Sequence, residues 1–387
     1  MTSAIRVRNT LGSPVEGQNF YDRRKEQARL WDRLDTDHVL LLAPRRVGKT
    51  SLLYKLEATA EDHGFKPLYA SVASHSDELG FLQALLEVVA EHRGLGAKIV
   101  ARARKLLDRV KTFSVDTISV ELTTQQWQEL GAELLRTLQA VDGRCLVMLD
   151  ELPIFLLNLL RIHGHERARL FLNWFRHVRS DRRARLSVRW LLCGSIGLDT
   201  VTQRERLSDT INDLAIERLG GFSRRDARDF LADLAATYSI ELSDAVTEHI
   251  LDKLDWLIPY HLQLLFSTVR DLDVSTPSIE SVDRAYDQLL SHTHKSYFDT
   301  WVQRLRDELG LVDEAHALAL LEVAARDPRG APSPVMHELM RSRGADERLA
   351  RYLLGVLESD GYMIADAKRW RFRSPLLRDY WRSTVLQ

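Results

Sequence analysis

The sequence predicts an α/β protein, with a parallel sheet covered by helices, then a helical region, then a small hairpin. Three observations predict it. First, four short apolar runs alternate with longer amphipathic segments in the first half: His38–Leu42, Lys66–Val72, Arg144–Asp150 and Ser187–Ser195. Strands buried on both faces and joined by crossover helices read this way. Second, after Gly220-Gly221 the strand-like runs stop and helical periodicity takes over. Third, Tyr362–Phe372 alternates around a charged tip at Asp366–Arg369, the pattern of two short strands and a turn.

Composition narrows the class. The chain has 387 residues, more than a usual single domain, so two or three domains are expected. Its formal net charge of −1 leaves no global basic field, so any nucleic-acid contact would need a local patch. Cys145 and Cys193 each sit in an apolar run, without a second cysteine at metal-site spacing. They read as buried thiols in a reducing compartment. Met1–Thr10 lacks an apolar signal core, and no stretch reaches membrane-spanning length. A soluble, cytoplasmic protein without a membrane partner is expected.

The elements after the sheet follow from local signals. Ser223 and Asp226 open a helix over Phe222–Ile240 in the manner of a capping box. Helical patterns continue at Ser243–Trp256, from Pro259, at Pro277–His292, and around Phe298, Trp301, Leu305 and Leu309. Asp327–Pro334 is a Gly- and Pro-rich turn, and Ala345–Ser359 is helical again. Helices followed by a hairpin suggest a winged helix. The expected domains are therefore a core at 1–221, a helical piece at 222–292 and a winged helix at 293–387. Within the core, about 94–143 reads as an insertion. It has a basic helix (Lys98–Lys111), an alternating run (Thr112–Leu122) suggesting a short strand pair, and a further helix.

The chemistry begins at Ala43-Pro44-Arg45-Arg46-Val47-Gly48-Lys49-Thr50, followed by Ser51. This segment leaves an apolar strand and opens an amphipathic helix, the context a phosphate-binding loop requires. Such a loop aims backbone N–H groups at a phosphate, and the helix N-terminus adds favourable partial charge. Gly48 permits close backbone approach, Lys49 reaches the β- and γ-phosphates, and the Thr50 hydroxyl binds Mg²⁺. The usual first glycine is Ala43 here. That is tolerated where the position needs no positive φ.

Cys145–Asp150 with Glu151 supplies the second half: an apolar strand ending in an acidic pair. Asp150 is the candidate Mg²⁺ carboxylate and Glu151 the candidate base that polarises the attacking water. Acidic residues here can also be simple helix caps, with Pro153 just inside the next helix. A strand, Lys66–Val72, separates the two motifs. This arrangement is similar to the additional-strand, catalytic-glutamate class of P-loop ATPases. The fourth strand would then lie beside the P-loop strand, and Ser195 at its end is a candidate sensor of the γ-phosphate, or a turn cap.

With these residues placed, the chain resembles the archaeal-type ATPases of the STAND group, relatives of the AAA+ proteins. The likeness rests on Phe20-Tyr21-Asp22-Arg23-Arg24 with Glu26, Ala43–Thr50, Leu149-Asp150-Glu151, Gly194-Ser195, Pro259-Tyr260-His261-Leu262-Gln263, and the closing Phe372–Trp381. It implies a P-loop NTPase core, a helical lid at 222–292 and a terminal winged helix. It also implies that Phe20 and Tyr21 lie over the adenine of ATP and that Pro259 packs near the base. Pro259 equally suits a helix start, and the family's glycine two residues earlier is Leu257 here. The resemblance singles out no catalytic arginine among Arg204, Arg206, Arg218, Arg224 and Arg225.

Two further features bear on partners. The wing carries Lys368, Arg369, Arg371 and Arg373, which could meet DNA, whereas Ala345–Ser359 mixes both charges and suits a groove poorly. Protein–protein or intramolecular contact is the competing use. Arg176–Arg189 is either a solvated face or a phosphate or partner contact. The expected function is an ATP-driven switch using ATP/ADP and Mg²⁺, with a protein partner or self-association. The alternative is a nucleic-acid-binding regulator holding ATP as a structural ligand.

Overall fold

The computed structural model describes residues 7–116, 124–194, 197–291 and 296–385. By contact, the chain divides into two compact units. One comprises Arg23–Ala43 and Leu52–Arg218, the other Met1–Asp22, Pro44–Ser51 and Leu219–Gln387. They are called the core unit and the C-terminal unit below. No described helix is long and apolar enough to cross a membrane.

The core unit holds five parallel strands: β1 (Val39–Leu42), β2 (Phe65–Ser71), β3 (Arg144–Asp150), β4 (Val188–Gly194) and β5 (Ala215–Arg218). Their order is β2-β3-β4-β1-β5. β4 lies beside β1, as the sequence predicts, with Leu42 opposite Gly194. All residues of β1 and β4 are buried, which is why they read as apolar runs, broken in β4 only by Arg189. β5 escapes a search for such runs. Its Ala-Ile-Glu-Arg is half exposed, and Glu217 faces Arg29 and Arg33 at 3.7 and 3.4 Å.

The helices of this half are α1 (Arg24–Thr36), α2 (Lys49–Thr59), α3 (Glu78–Glu91), α4 (Ala97–Asp116), α5 (Thr124–Gln139), α6 (Leu152–Ser180), α7 (Ala184–Ser187) and α8 (Leu198–Arg204). One apolar core joins α3, α4, α5, α6 and α8 to the sheet, with Phe81, Phe155, Phe171 and Phe175 at its centre. Phe81 meets Phe171 edge-on at 4.9 Å, an arrangement the ring quadrupole favours. Gly131 makes room for Trp174, since a Cβ there would stand 2.2 Å from the indole.

The insertion differs from its prediction. The Thr112–Leu122 alternation suggested strands, but α4 continues through Thr112 to Asp116; residues 117–123 lie outside the described residues. Helical period explains the outcome. Ala103, Leu106 and Val110 share one buried face, while Lys98, Arg102, Arg104 and Lys105 stay exposed.

In the C-terminal unit, α9 (Arg224–Tyr238), α10 (Asp244–Leu254), α11 (Pro259–Arg270) and α12 (Ile279–Leu289) come first. The side chains of Ser223, Ser243 and Ser278 cap three of them by accepting an orphan backbone N–H. Next are α13 (Ser296–Ala325), β6 (Ala331–Pro332), α14 (Ser333–Ser342), α15 (Glu347–Ser359), β7 (Met363–Asp366), β8 (Arg369–Phe372) and α16 (Pro375–Tyr380). β6, β8 and β7 form an antiparallel sheet in that order. Ala367 and Lys368 turn the hairpin with both φ positive, at 44° and 65°, as tight two-residue hairpin turns require. α13 kinks at Gly310, whose φ is 74°.

These two sets of helices are stitched together. Tyr286 of α12 donates its hydroxyl to Asp379 of α16 at 2.9 Å, and buried His261 is hydrogen-bonded to Ser374 at 3.3 Å.

Candidate functional site

β1 feeds the phosphate-loop motif. Ala43 is buried and is not among the left-handed residues, so its Cβ carries no backbone penalty there. The left-handed positions of the loop are Arg46 (φ 64°) and Gly48 (φ 91°). No atom lies within 4 Å of a Cβ built on Gly48, so its φ, not space, asks for glycine. α2 begins at Lys49, which is buried, and its first-turn N–H groups lack intrahelical partners by construction. The loop and the first turn of α2 thus offer oriented donors and a positive dipole end.

Pro44–Ser51 packs with the C-terminal unit. The Arg45 N–H donates to the Asp360 carbonyl at 3.4 Å. Pro44 lies 3.1 Å, and Trp256 2.6 Å, from where a Gly361 Cβ would stand. The Arg46 guanidinium lies over the Tyr260 ring at 4.5 Å, and its Nε is buried without a hydrogen-bond partner. Burial raises the Tyr260 phenol, while the charge of Arg46 opposes that rise. Ser51 accepts the Val15 N–H at 3.0 Å, so part of its hydroxyl is committed to the chain.

The acidic pair ends β3 in the core unit. Asp150 is buried. Its Oδ2 accepts the Tyr69 hydroxyl at 3.2 Å, and its Oδ1 accepts the Glu151 N–H at 2.9 Å. The Cys193 thiol is within 3.8 Å of Oδ1 and 3.3 Å of the Leu149 carbonyl. Burial first, and the Asp150 charge second, push the Tyr69 phenol well above its ordinary range. Glu151 precedes α6 in the left-handed region (φ 59°, ψ 33°), and its side chain makes no capping bond. Left-handed backbone at a non-glycine costs energy and concentrates at functional sites. A capping role therefore does not account for the Glu151 carboxylate. Sequence reasoning missed Tyr69 and Cys193 as partners of Asp150. The strand order supplies them, since β2 and β4 flank β3 and bring these residues to its end.

The other predicted residues fall as follows. Ser195 lies outside the described residues. Tyr21 packs in the C-terminal unit against Phe230 and Phe222, at 4.9 and 5.9 Å. Burial, then Asp233 and Asp229, raise its phenol. Phe20 is half-buried, and its N–H bonds the Gly17 carbonyl. Pro259 is the first residue of α11. Arg204 pairs with Glu205 at 3.6 Å, and Arg224 with Glu248 and Asp252.

The wing arginines are engaged within the chain, and the second cluster is engaged in part. Arg371 meets Asp255 at 3.2 Å and Asp366 at 3.3 Å. Arg369 donates to the Arg329 carbonyl, and Arg373 to that of Glu358. Lys368 stays exposed at the hairpin tip. In the second cluster, Arg179 is buried and doubly bonded to Asp213, and Arg189 holds the Leu34 and Asp35 carbonyls. Arg182, Arg183 and Arg185 are exposed.

Buried His38 lies beside this second cluster. It takes the Trp190 N–H at Nδ1 and faces the Arg179 carbonyl with Nε2 at 2.9 Å. That pair of partners fits a neutral ring protonated at Nε2, and burial pushes the pKa down to about 4.

No family model matches the chain, and no curated protein matches it in sequence. Solved structures do. A Walker-type ATPase of Pyrococcus abyssi is similar over 97% of this chain and 99% of its own, at 15% identity and a TM-score of 0.64. The ORC2 protein of Aeropyrum pernix, solved in ADPNP–ADP complexes, is similar over 98% and 96%, at 15% identity and a TM-score of 0.52. Together with the parallel sheet, this likeness shows that the chain has the fold of the P-loop NTPases.

Proposed function

We propose that the chain is an ATP-binding, hydrolysing switch of the STAND type, with a helical lid and a terminal winged helix. The observation that carries this reading is the loop's packing. Pro44–Ser51 belongs by contact with Leu219–Gln387, through Asp360, Gly361, Trp256 and Tyr260. A ligand that reshapes the loop must then alter contacts made by α11 and by the turn before the hairpin. That is the differential interaction a nucleotide switch needs.

The motif residues take these roles. Backbone N–H groups at the loop and at the start of α2 hold phosphate oxygens. Lys49 neutralises charge on the β- and γ-phosphates. Thr50 and Asp150 offer hard oxygen donors of the kind Mg²⁺ takes, and two donors are as few as this ion commonly needs beside phosphates. When bound, the ion supplies charge neutralisation at the transferring phosphoryl group. Glu151 orients the attacking water and accepts its proton. Phe20, Tyr21, Pro259 and Ser195 are proposed contributors at the base and at the γ-phosphate.

The engaged wing arginines favour intramolecular use of the hairpin over DNA binding. ATP and ADP are the proposed ligands, with a protein partner or a second copy receiving the signal.

Hydrogen exchange with ADP and with a slowly hydrolysed ATP analogue tests the reading. Protection should change at 256–261 and 359–373 in the wild type and not in Lys49→Ala. Unchanged protection in a chain that binds both nucleotides would sink the switch. Absence of nucleotide binding would sink the ATP assignment itself.

A further inference from the structure

We infer that Tyr69 is a positioning residue for the Mg²⁺ carboxylate, Asp150. The inference rests on the proposed role of Asp150 and deepens it. A carboxylate at a strand end can rotate about its last bond, and a rotated carboxylate presents its oxygens wrongly to an ion. Hydrogen bonds from surrounding donors fix that rotation, and such partners govern metal affinity nearly as much as the ligands do.

Asp150 has a donor on each oxygen. The Glu151 N–H, 2.9 Å away, fixes Oδ1 from its own backbone. The Tyr69 hydroxyl, 3.2 Å away, fixes Oδ2 from the neighbouring strand. The Tyr69 ring is itself held edge-on by Tyr54 at 5.3 Å. β2 and β3 run in parallel register from Phe65–Arg144 to Ser71–Asp150, so the hydroxyl is carried on a rigid element. A phenol keeps its proton near neutral pH, and so serves as a donor here. The strand packs through its ring whether or not the oxygen is there, so the oxygen's task is Asp150.

Tyr69→Phe removes only that oxygen. The test measures the affinity of a fluorescent ATP analogue across a Mg²⁺ titration. In EDTA the variant should bind as the wild type does. The Mg²⁺ concentration giving half of the affinity gain should rise about tenfold. Tyr54→Phe, which removes the neighbouring phenol oxygen and keeps the supporting ring, should leave that midpoint in place, and melting curves should show both variants folded. A Tyr69→Phe midpoint within about twofold of wild type overturns the inference while the Asp150 assignment stands. An equal shift in Tyr54→Phe also overturns it, because loss of either nearby phenol oxygen would then act alike, without a bond to Asp150. Loss of any Mg²⁺ effect in the wild type would overturn the parent assignment, and this inference with it. Should Tyr69→Phe not fold, Cys193→Ala, which removes the neighbouring thiol, should raise the same midpoint by a smaller factor. An unmoved midpoint there would count against donor control of Asp150.

Discussion

The Arg46 guanidinium lies over the Tyr260 ring, 4.5 Å from its centroid, and so joins the phosphate-loop motif to α11. Cation–π contacts of this kind contribute about 0.5–2 kcal/mol. Arg46→Ala should lower the stability of the C-terminal unit by about 1 kcal/mol, measured by denaturant titration. Arg46→Lys should recover little of this, because a compact ammonium does not stack as the planar guanidinium does.

Gly361 sits at φ 90°, with Trp256 and Pro44 closing on the space above it. Gly361→Ala should cost about 1–3 kcal/mol, from backbone strain plus the displaced indole. Because Pro44 is a neighbour, nucleotide affinity should fall as well. An alanine variant with wild-type melting and binding would show that the turn has slack the structure does not suggest.

Glu151 combines a left-handed backbone with the proposed catalytic carboxylate. Glu151→Gln should keep nucleotide binding and lower turnover by about 100-fold or more, read from phosphate release. Glu151→Gly should abolish turnover too, yet gain up to about 1 kcal/mol of stability, since glycine adopts this φ without strain.

Acid should weaken the core unit through His38. Its folded pKa is about 4, below the unfolded value of about 6.5. The unfolded chain therefore binds a proton that the folded chain refuses between those values. Stability is full above pH 6.5 and falls as pH drops toward 4, with a limiting slope of about 1.4 kcal/mol per pH unit. His38→Gln should be less stable near pH 7.5 and should show a shallower decline below pH 6.5 in thermal melts.

Much of the core unit was legible because its strands are buried on both faces, and such strands write themselves as apolar runs. β5 was not, because an edge strand of four residues with Glu217 and Arg218 carries no such run. The end of α4 was misread, because Thr112–Asp116, the start of the alternating run, continues the helix. The motif residues were legible as chemistry. Their supporting contacts were not, since Tyr69 reaches Asp150 from a neighbouring strand 81 residues away in sequence, and Asp360 lies more than 300 residues from Arg45. Nothing local announces either pairing. The wing arginines show the same limit from the other side. Their charges were visible in the sequence, but Asp255, which engages Arg371, is a capping position of another helix.

The placement of Pro44–Ser51 among the contacts of Leu219–Gln387 has a consequence for how this chain can be divided. A fragment ending near Arg218 would keep every strand of the parallel sheet and the whole motif, yet strip the loop of the surface it rests on. Such a fragment should fold its sheet and handle nucleotide poorly. The same dependence acts over evolutionary time. The sheet cannot be recombined freely with a foreign C-terminal half, because its phosphate loop would arrive without a seat.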